Sequence, residues 1–183
     1  FAKQSPSPFG FERHGLLAVY EKAASLDGAK GQLELVQRAG VRAEHWTADE
    51  VRDREPAIVG KQIGAIFYPD DAHCEPYPAV RALATAAETA GAVLAERADV
   101  FAITMGPGGK RLVQTTRGDI LADRIVLAAG SWSEPLGAML DLRVPILGAK
   151  GYSLILPPAT PHPKRSIYLI ERKVAVNPHK DAL

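Results

Sequence analysis

The sequence has almost no cysteine: Cys74 is the only one in 183 residues. One thiol can neither close an intrachain disulfide nor build a multi-cysteine metal site, and it suits a reducing compartment. Neither sign of charge is in excess. The 22 Lys and Arg against 21 Asp and Glu leave a formal net charge of +1, too weak a field to draw the chain to nucleic acid or to an anionic membrane. No apolar run reaches the roughly 18 residues of a membrane-spanning helix, and no signal-peptide pattern is present. The five histidines are scattered, and no spacing suggests a Ser/His/Asp set. His73 and Cys74 are adjacent, with Asp70, Asp71 and Glu75 beside them. Adjacent residues rarely converge on one ion and no second His/Cys cluster exists, so no metal site is expected. A glycine-rich turn opening a helix, which would hold a pyrophosphate, is also missing. Gly106, Pro107, Gly108 and Gly109 come nearest, but strand patterns flank them and a hairpin turn is expected.

What is present is ordinary globular material. Hydrophobic residues make up 46% and charged residues 23%, enough for one domain with a real core or for parts of two. Residues 1–13 are unpatterned. Strands are expected at 14–20, 44–46 and 63–68, with Gly64 a weak point in the last. A helix is expected over 21–39, weakened in its first half by Gly28 and Gly31 and stopped by Gly40. Thr47 and Glu50 form a capping box, and Pro56 ends the short helix they open. Residues 78–90 have the clearest helical period, with Val80, Leu83, Ala84, Ala87 and Ala90 on one stripe and Gly91 as the stop. Its small apolar side chains suit close packing on a sheet. A short strand follows at 92–94. Strands at 99–104 and 111–116 and a turn at 117–119 leading to Ile120 make a small antiparallel meander. Further strands are expected at 149–156, 165–170 and 174–177, the first two separated by a proline-rich loop. No internal repeat or low-complexity tract is present.

The chain is organised around residues 123–133. Ile125, Val126 and Leu127 form an unalternated apolar run that reads as a strand buried on both faces, as in a parallel sheet covered by helices. Ala128, Ala129 and Gly130 follow, small enough for another backbone or a flat ligand to come close. A helix start comes next, with Ser131 and Glu134 as a capping box, or Ser133 as cap and Pro135 in the first turn. Open α/β sheets bind nucleotides at such strand ends. An ordinary strand-to-helix turn with small residues for packing is the alternative reading.

The run from Ile125 to Ser133 resembles the last strand of the FAD domain in the D-amino acid oxidase superfamily. Asp70-Asp71-Ala72-His73-Cys74-Glu75-Pro76 upstream and the run from Val144 to Leu154 downstream are similar to further family segments, in the same order and spacing. Lys150-Gly151-Tyr152-Ser153 is most similar to the bacterial D-amino acid dehydrogenase small-subunit branch. The resemblance extends from about His14 to Leu183. It implies an α/β (α+β) chain with a remnant of an FAD-binding Rossmann-like domain and part of a mixed-sheet substrate domain. Residues 14–69 and 145–183 fall to the substrate domain and 76–141 to the FAD domain. The family's glycine motif lies before anything present here and its substrate-binding arginine would follow Leu183, so an internal fragment is expected.

The resemblance also assigns residues. Val100 matches the position whose backbone meets the adenine of FAD, although strand propensity alone explains a valine there. Ala128, Ala129 and Gly130 match the turn near the ribose and pyrophosphate, and Trp132 a position on the flavin side. Tyr152 is a candidate for lining the substrate pocket. No catalytic acid or base is evident, and none is required where the protein mainly orients substrate against flavin. The implied activity is oxidation of a D-amino acid to a 2-oxo acid, with electrons passed to a carrier. The implied partners are that substrate and an electron acceptor in the membrane. The implied location is cytoplasmic, or peripheral on the cytoplasmic membrane. Weak FAD binding and self-association are expected of the chain by itself. A glycine or sarcosine oxidase-like flavoenzyme and a non-catalytic ligand-binding module stand as alternatives.

Overall fold

The computed structural model describes residues 1–3, 5, 7–158, 160–179 and 183. They form two compact units, one of Phe1–Ala90 with Ser153–Leu183 and one of Gly91–Tyr152.

The first unit is built on β1 (Leu16–Tyr20), whose alternate side chains feed two cores. Period-two alternation sends Leu17 and Val19 to one face and Ala18 and Tyr20 to the other. The same unit holds α1 (Ala23–Arg38), β2 (Glu44–Thr47), α2 (Ala48–Arg54), β3 (Gly64–Tyr68) and α3 (Pro76–Thr89). The later chain returns as the seventh and eighth strands, Ser166–Leu169 and Val174–Val176, and completes a five-stranded sheet in the order β2-β3-β1-seventh-eighth. β1 is antiparallel to β3 and parallel to the seventh strand, so the sheet is mixed. Leu26 of α1 packs with Ala18, Tyr20 and Ile66, and Ala29, Leu33 and Val36 extend the contact. Leu17 and Val19 pack on the opposite face with Trp46, Val51, Ala65 and Ile167.

Two local sequence signals in this unit act through sterics and hydrogen bonding. The expected capping box forms: Thr47 Oγ1 accepts from the Glu50 N–H at 3.3 Å, and Glu50 Oε2 accepts from the Thr47 N–H at 2.9 Å. Gly64 is a close-approach position rather than a weak point. A Cβ there would lie 2.9 Å from the Trp46 carbonyl oxygen of the neighbouring strand.

In the second unit, β4 (Val100–Met105), β5 (Arg111–Thr115) and β6 (Gly118–Ala122) form a three-stranded antiparallel meander. The turn after β4 is closed by the Gly106 N–H donating to the Lys110 carbonyl at 2.8 Å, as expected of a hairpin. A 3-10 turn at Gly130–Trp132 leads into α4 (Ser133–Ala138). The chain thus numbers its last two strands β7 (Ser166–Leu169) and β8 (Val174–Val176).

Four sequence expectations are corrected. Residues 125–127 are not a doubly buried strand of a parallel sheet. They pair with no described strand, and Val126 is 88% exposed. Ile125, Leu127 and Ala129 are half-buried while Val126 and Ala128 are exposed. The segment therefore keeps a strand's alternation with one face covered, and lacks the ladder that would make it a strand. Residues 92–94 and 149–156 are likewise not strands. Residues 92–94 have no backbone pairing partner among the described residues, and within 149–156 only Leu156 is paired, exchanging backbone hydrogen bonds with Leu183 at 2.9 Å in both directions; propensity alone does not hold a strand. Neither Ser131 nor Ser133 caps α4; its N-cap is Trp132, with no side-chain hydrogen bond.

Candidate cofactor site

The candidate site lies within the second unit. Hydrophobic residues at matched register, Ile103 opposite Val113 and Val113 opposite Ile120, give the meander one apolar face. Ile103 and Val113, with Val100 at the start of β4, Leu136 of α4 and residues Ile125, Val126, Leu127, Ala128 and Ala129, border an open cavity of about 300 Å³. A register irregularity between Val100 and Ala102 marks this end of β4. Bulges bend a strand and re-aim its side chains, which accounts for Val100 and Ile103 lining one cavity.

The cavity has no titratable side chain in its lining. It can hold a flat apolar group, and it has no side chain that could move a proton. Hydrogen-bonding capacity comes from the backbone: residues 125–128 form no backbone hydrogen bond with the described residues, and the first bond beyond them is from the Trp132 N–H to the Ala129 carbonyl at 3.1 Å. Extended backbone beside an apolar slot offers donors and acceptors to the edge of a ring. Gly130 follows with φ of +56° and open space where a Cβ would stand.

Of the residues singled out from sequence, Val100, Ala128 and Ala129 line this one cavity. Gly130 lies next to it in the chain, in the 3-10 turn, outside the lining. Trp132 is 72% exposed and Tyr152 is 89% exposed; neither lines the cavity. Lys150 Nζ lies 5.5 Å from the centre of the Tyr152 ring. The lining residues that sequence reasoning missed are Ile103, Val113 and Leu136. Alternation within β4 and β5 carried a signal for the first two; nothing local marked Leu136.

Residues 1–181 match the family model described as DAO, FAD dependent oxidoreductase. The chain belongs to this family of FAD-dependent oxidoreductases. A D-amino acid dehydrogenase from Chromohalobacter salexigens is 32% identical over 149 residues, covering 79% of this chain and 36% of the relative. A 4-methylaminobutanoate oxidase (formaldehyde-forming) from Paenarthrobacter nicotinovorans is 31% identical over 141 residues, covering 76% of this chain and 17% of the relative. The structure of glycine oxidase from Geobacillus kaustophilus superposes with a TM-score of 0.87 at 23% identity, over 98% of this chain and 48% of that one. The chain thus spans about a third or less of the length of these curated relatives and about half that of the solved structure.

Proposed function

We propose that this chain is part of an enzyme that oxidises D-amino acids to 2-oxo acids and ammonia and passes the electrons to a carrier. The observation that carries this reading is the identity to proteins named D-amino acid dehydrogenase, 32% and 30% over about four-fifths of the chain. In this reading the slot of the second unit takes the adenine end of FAD. Its apolar walls would cover the ring faces, the unpaired backbone of residues 125–128 would meet the ring edge, and the open Cβ position at Gly130 leaves room for the ribose and phosphates. The chemistry supplied by bound FAD is acceptance of hydride from the substrate carbon–nitrogen bond. The slot residues orient and exclude water; the proton is not theirs to move.

The test is a titration followed through the methyl resonances of Ile103, Val113, Ile125 and Leu127. FAD and ADP should give saturable shifts confined to the slot, whereas FMN, which lacks adenine, should give none. Equal responses to FMN and FAD, or no response to either, would sink the assignment. A second reading, oxidation of an N-methyl amine, is favoured by the identity to the formaldehyde-forming oxidase. Formaldehyde release from an N-methyl amino acid, with no ammonia from D-amino acids, would select it.

A further inference from the structure

The turn that joins β5 to β6 is fastened to the chain entering β4, within the second unit. Thr115 is buried, and its hydroxyl holds the turn itself. It donates to the Gly118 carbonyl at 2.6 Å and accepts from the Arg117 N–H at 3.1 Å. Thr116 acts across the gap. Its N–H donates to the Asp99 carbonyl at 3.0 Å, and its Oγ1 accepts from the Asp99 N–H, also at 3.0 Å. Both backbone groups of Asp99 are therefore held by one residue, with a hydroxyl standing where a strand ladder would place a carbonyl. The same hydroxyl donates to the Arg97 carbonyl at 3.4 Å, and the Arg117 guanidinium donates to the Glu96 carbonyl at 3.0 Å. Between these ties Arg97 has φ of +57°, a left-handed conformation that a residue with a Cβ keeps where its surroundings fix it.

Asp99 leads directly into Val100. Val100 pairs with Thr115, and the register then slips before Ala102. On the far side of this irregularity a regular ladder runs from Ala102 to Met105. On the near side stand only the Val100–Thr115 pair and the bonds from the turn. Val100 lines the slot, and Thr116 does not. We propose that Thr116 is a positioning residue for the slot: its hydroxyl fixes the backbone of Asp99 and, through it, the place of Val100 against the adenine. The inference rests on the adenine reading above and adds what sets one wall of that site.

Thr116→Val removes the hydroxyl and keeps the shape of the side chain. Thr116, Asp99 and Arg97 are exposed, so water can take up the freed backbone groups and the meander should remain folded. Thr116→Ser keeps the hydroxyl. The experiment titrates ADP into the full chain and both variants, following the methyl resonances of Val100, Ile103 and Val113. Thr116→Val should bind ADP roughly two- to tenfold more weakly, the span of one net hydrogen bond, and Thr116→Ser should bind as the unsubstituted chain does. Without ligand, the Asp99 amide should exchange with solvent faster in Thr116→Val, while the Val113 amide in the middle of the meander keeps its rate. An ADP response in the unsubstituted chain with equal affinity in Thr116→Val would overturn the proposal and leave the adenine reading intact. So would weakened binding that Thr116→Ser does not restore, or equal acceleration of exchange throughout the meander, which marks a general loss of stability. No ADP response in the unsubstituted chain would remove the adenine reading and this inference together.

Discussion

At the scale of single residues, the most consequential side chain is Glu55, whose exposure is 0%. Its carboxylate accepts from Arg165 Nε at 2.9 Å and from the Lys164 N–H at 3.1 Å. The Arg165 guanidinium in turn lies about equally far from two neighbouring aromatic rings, 5.1 Å from the Trp46 ring centre and 5.0 Å from that of Phe67. Removing one partner of a buried, hydrogen-bonded pair strands the other, which typically costs about 3–5 kcal/mol. Glu55→Ala should therefore lower the free energy of unfolding by about 3 kcal/mol or more. Arg38→Ala, which removes an exposed pair with Glu34 on α1, should cost less than about 1 kcal/mol. Urea unfolding of both variants checks the contrast, and a Glu55→Ala loss as small as that of Arg38→Ala would contradict it. Little of this was legible in the sequence. Glu55 precedes a helix-ending proline, but its partners lie 109 and 110 residues further on, and no local pattern encodes a contact at that separation.

At the scale of elements, the β2–α2 junction was readable because its information is local. Thr47 and Glu50 sit three apart, and the same two residues make both bonds of the box. Thr47→Ala should cost about 1 kcal/mol, measured as a shift in urea midpoint. The junction also sets a pH dependence. The Thr47 N–H holds the Glu50 carboxylate below its usual 4.5, and burial pushes the His45 imidazole below its usual 6.5, with Lys30 adding to the effect. Both groups bind protons less readily in the folded chain than in the unfolded one. Their stabilisation is therefore present above the unfolded values and is lost as pH falls, first through 6.5 for His45 and then below 4.5 for Glu50. His45→Asn should flatten the fall in stability between neutral and mildly acidic pH, while Glu50→Gln should flatten only the more acid limb. Denaturation series across pH would read both slopes, and an unchanged His45→Asn profile would contradict the first. By contrast, residues 125–127 have the composition of a buried strand and form none. Composition specifies what a segment can bury, whereas a strand also needs a neighbour with open hydrogen-bonding groups. The meander had such neighbours two to five residues away across its turns, which is why β4, β5 and β6 were recognisable and the slot they help to form was only half so. Val100, Ala128 and Ala129 were marked by family likeness, but Leu136 enters from a helix whose packing no short pattern announces.

At the scale of the whole molecule, cofactor affinity and association state follow from what each unit leaves uncovered. The pyrophosphate is the most charged part of FAD, and a glycine-rich turn at a long helix N-terminus is the usual way to hold it. Among the described residues no such turn occurs: Gly106 to Gly109 close a hairpin, and α4 has only six residues. Contacts of that kind are worth up to about 2 kcal/mol each in favourable geometries, and about 1.4 kcal/mol is tenfold in affinity. If the slot takes adenine as proposed, it should without such contacts hold FAD weakly, with no stoichiometric complex at micromolar concentration. The same segment that borders the slot presents the 88%-exposed Val126 and backbone groups with no partner among the described residues. An extended edge with free N–H and C=O groups and apolar side chains is a template for pairing with another copy. The chain should accordingly show concentration-dependent association in sedimentation velocity. Val126→Lys should shift it toward monomer, because a lysine on an unpaired edge opposes strand addition, and should leave the urea midpoint nearly unchanged because the side chain is exposed. Tight stoichiometric FAD binding together with a monomer at all concentrations would show that the slot and the edge are already closed in solution. Weak FAD binding together with association that Val126→Lys relieves would trace both properties to the single stretch from Ile125 to Ala129.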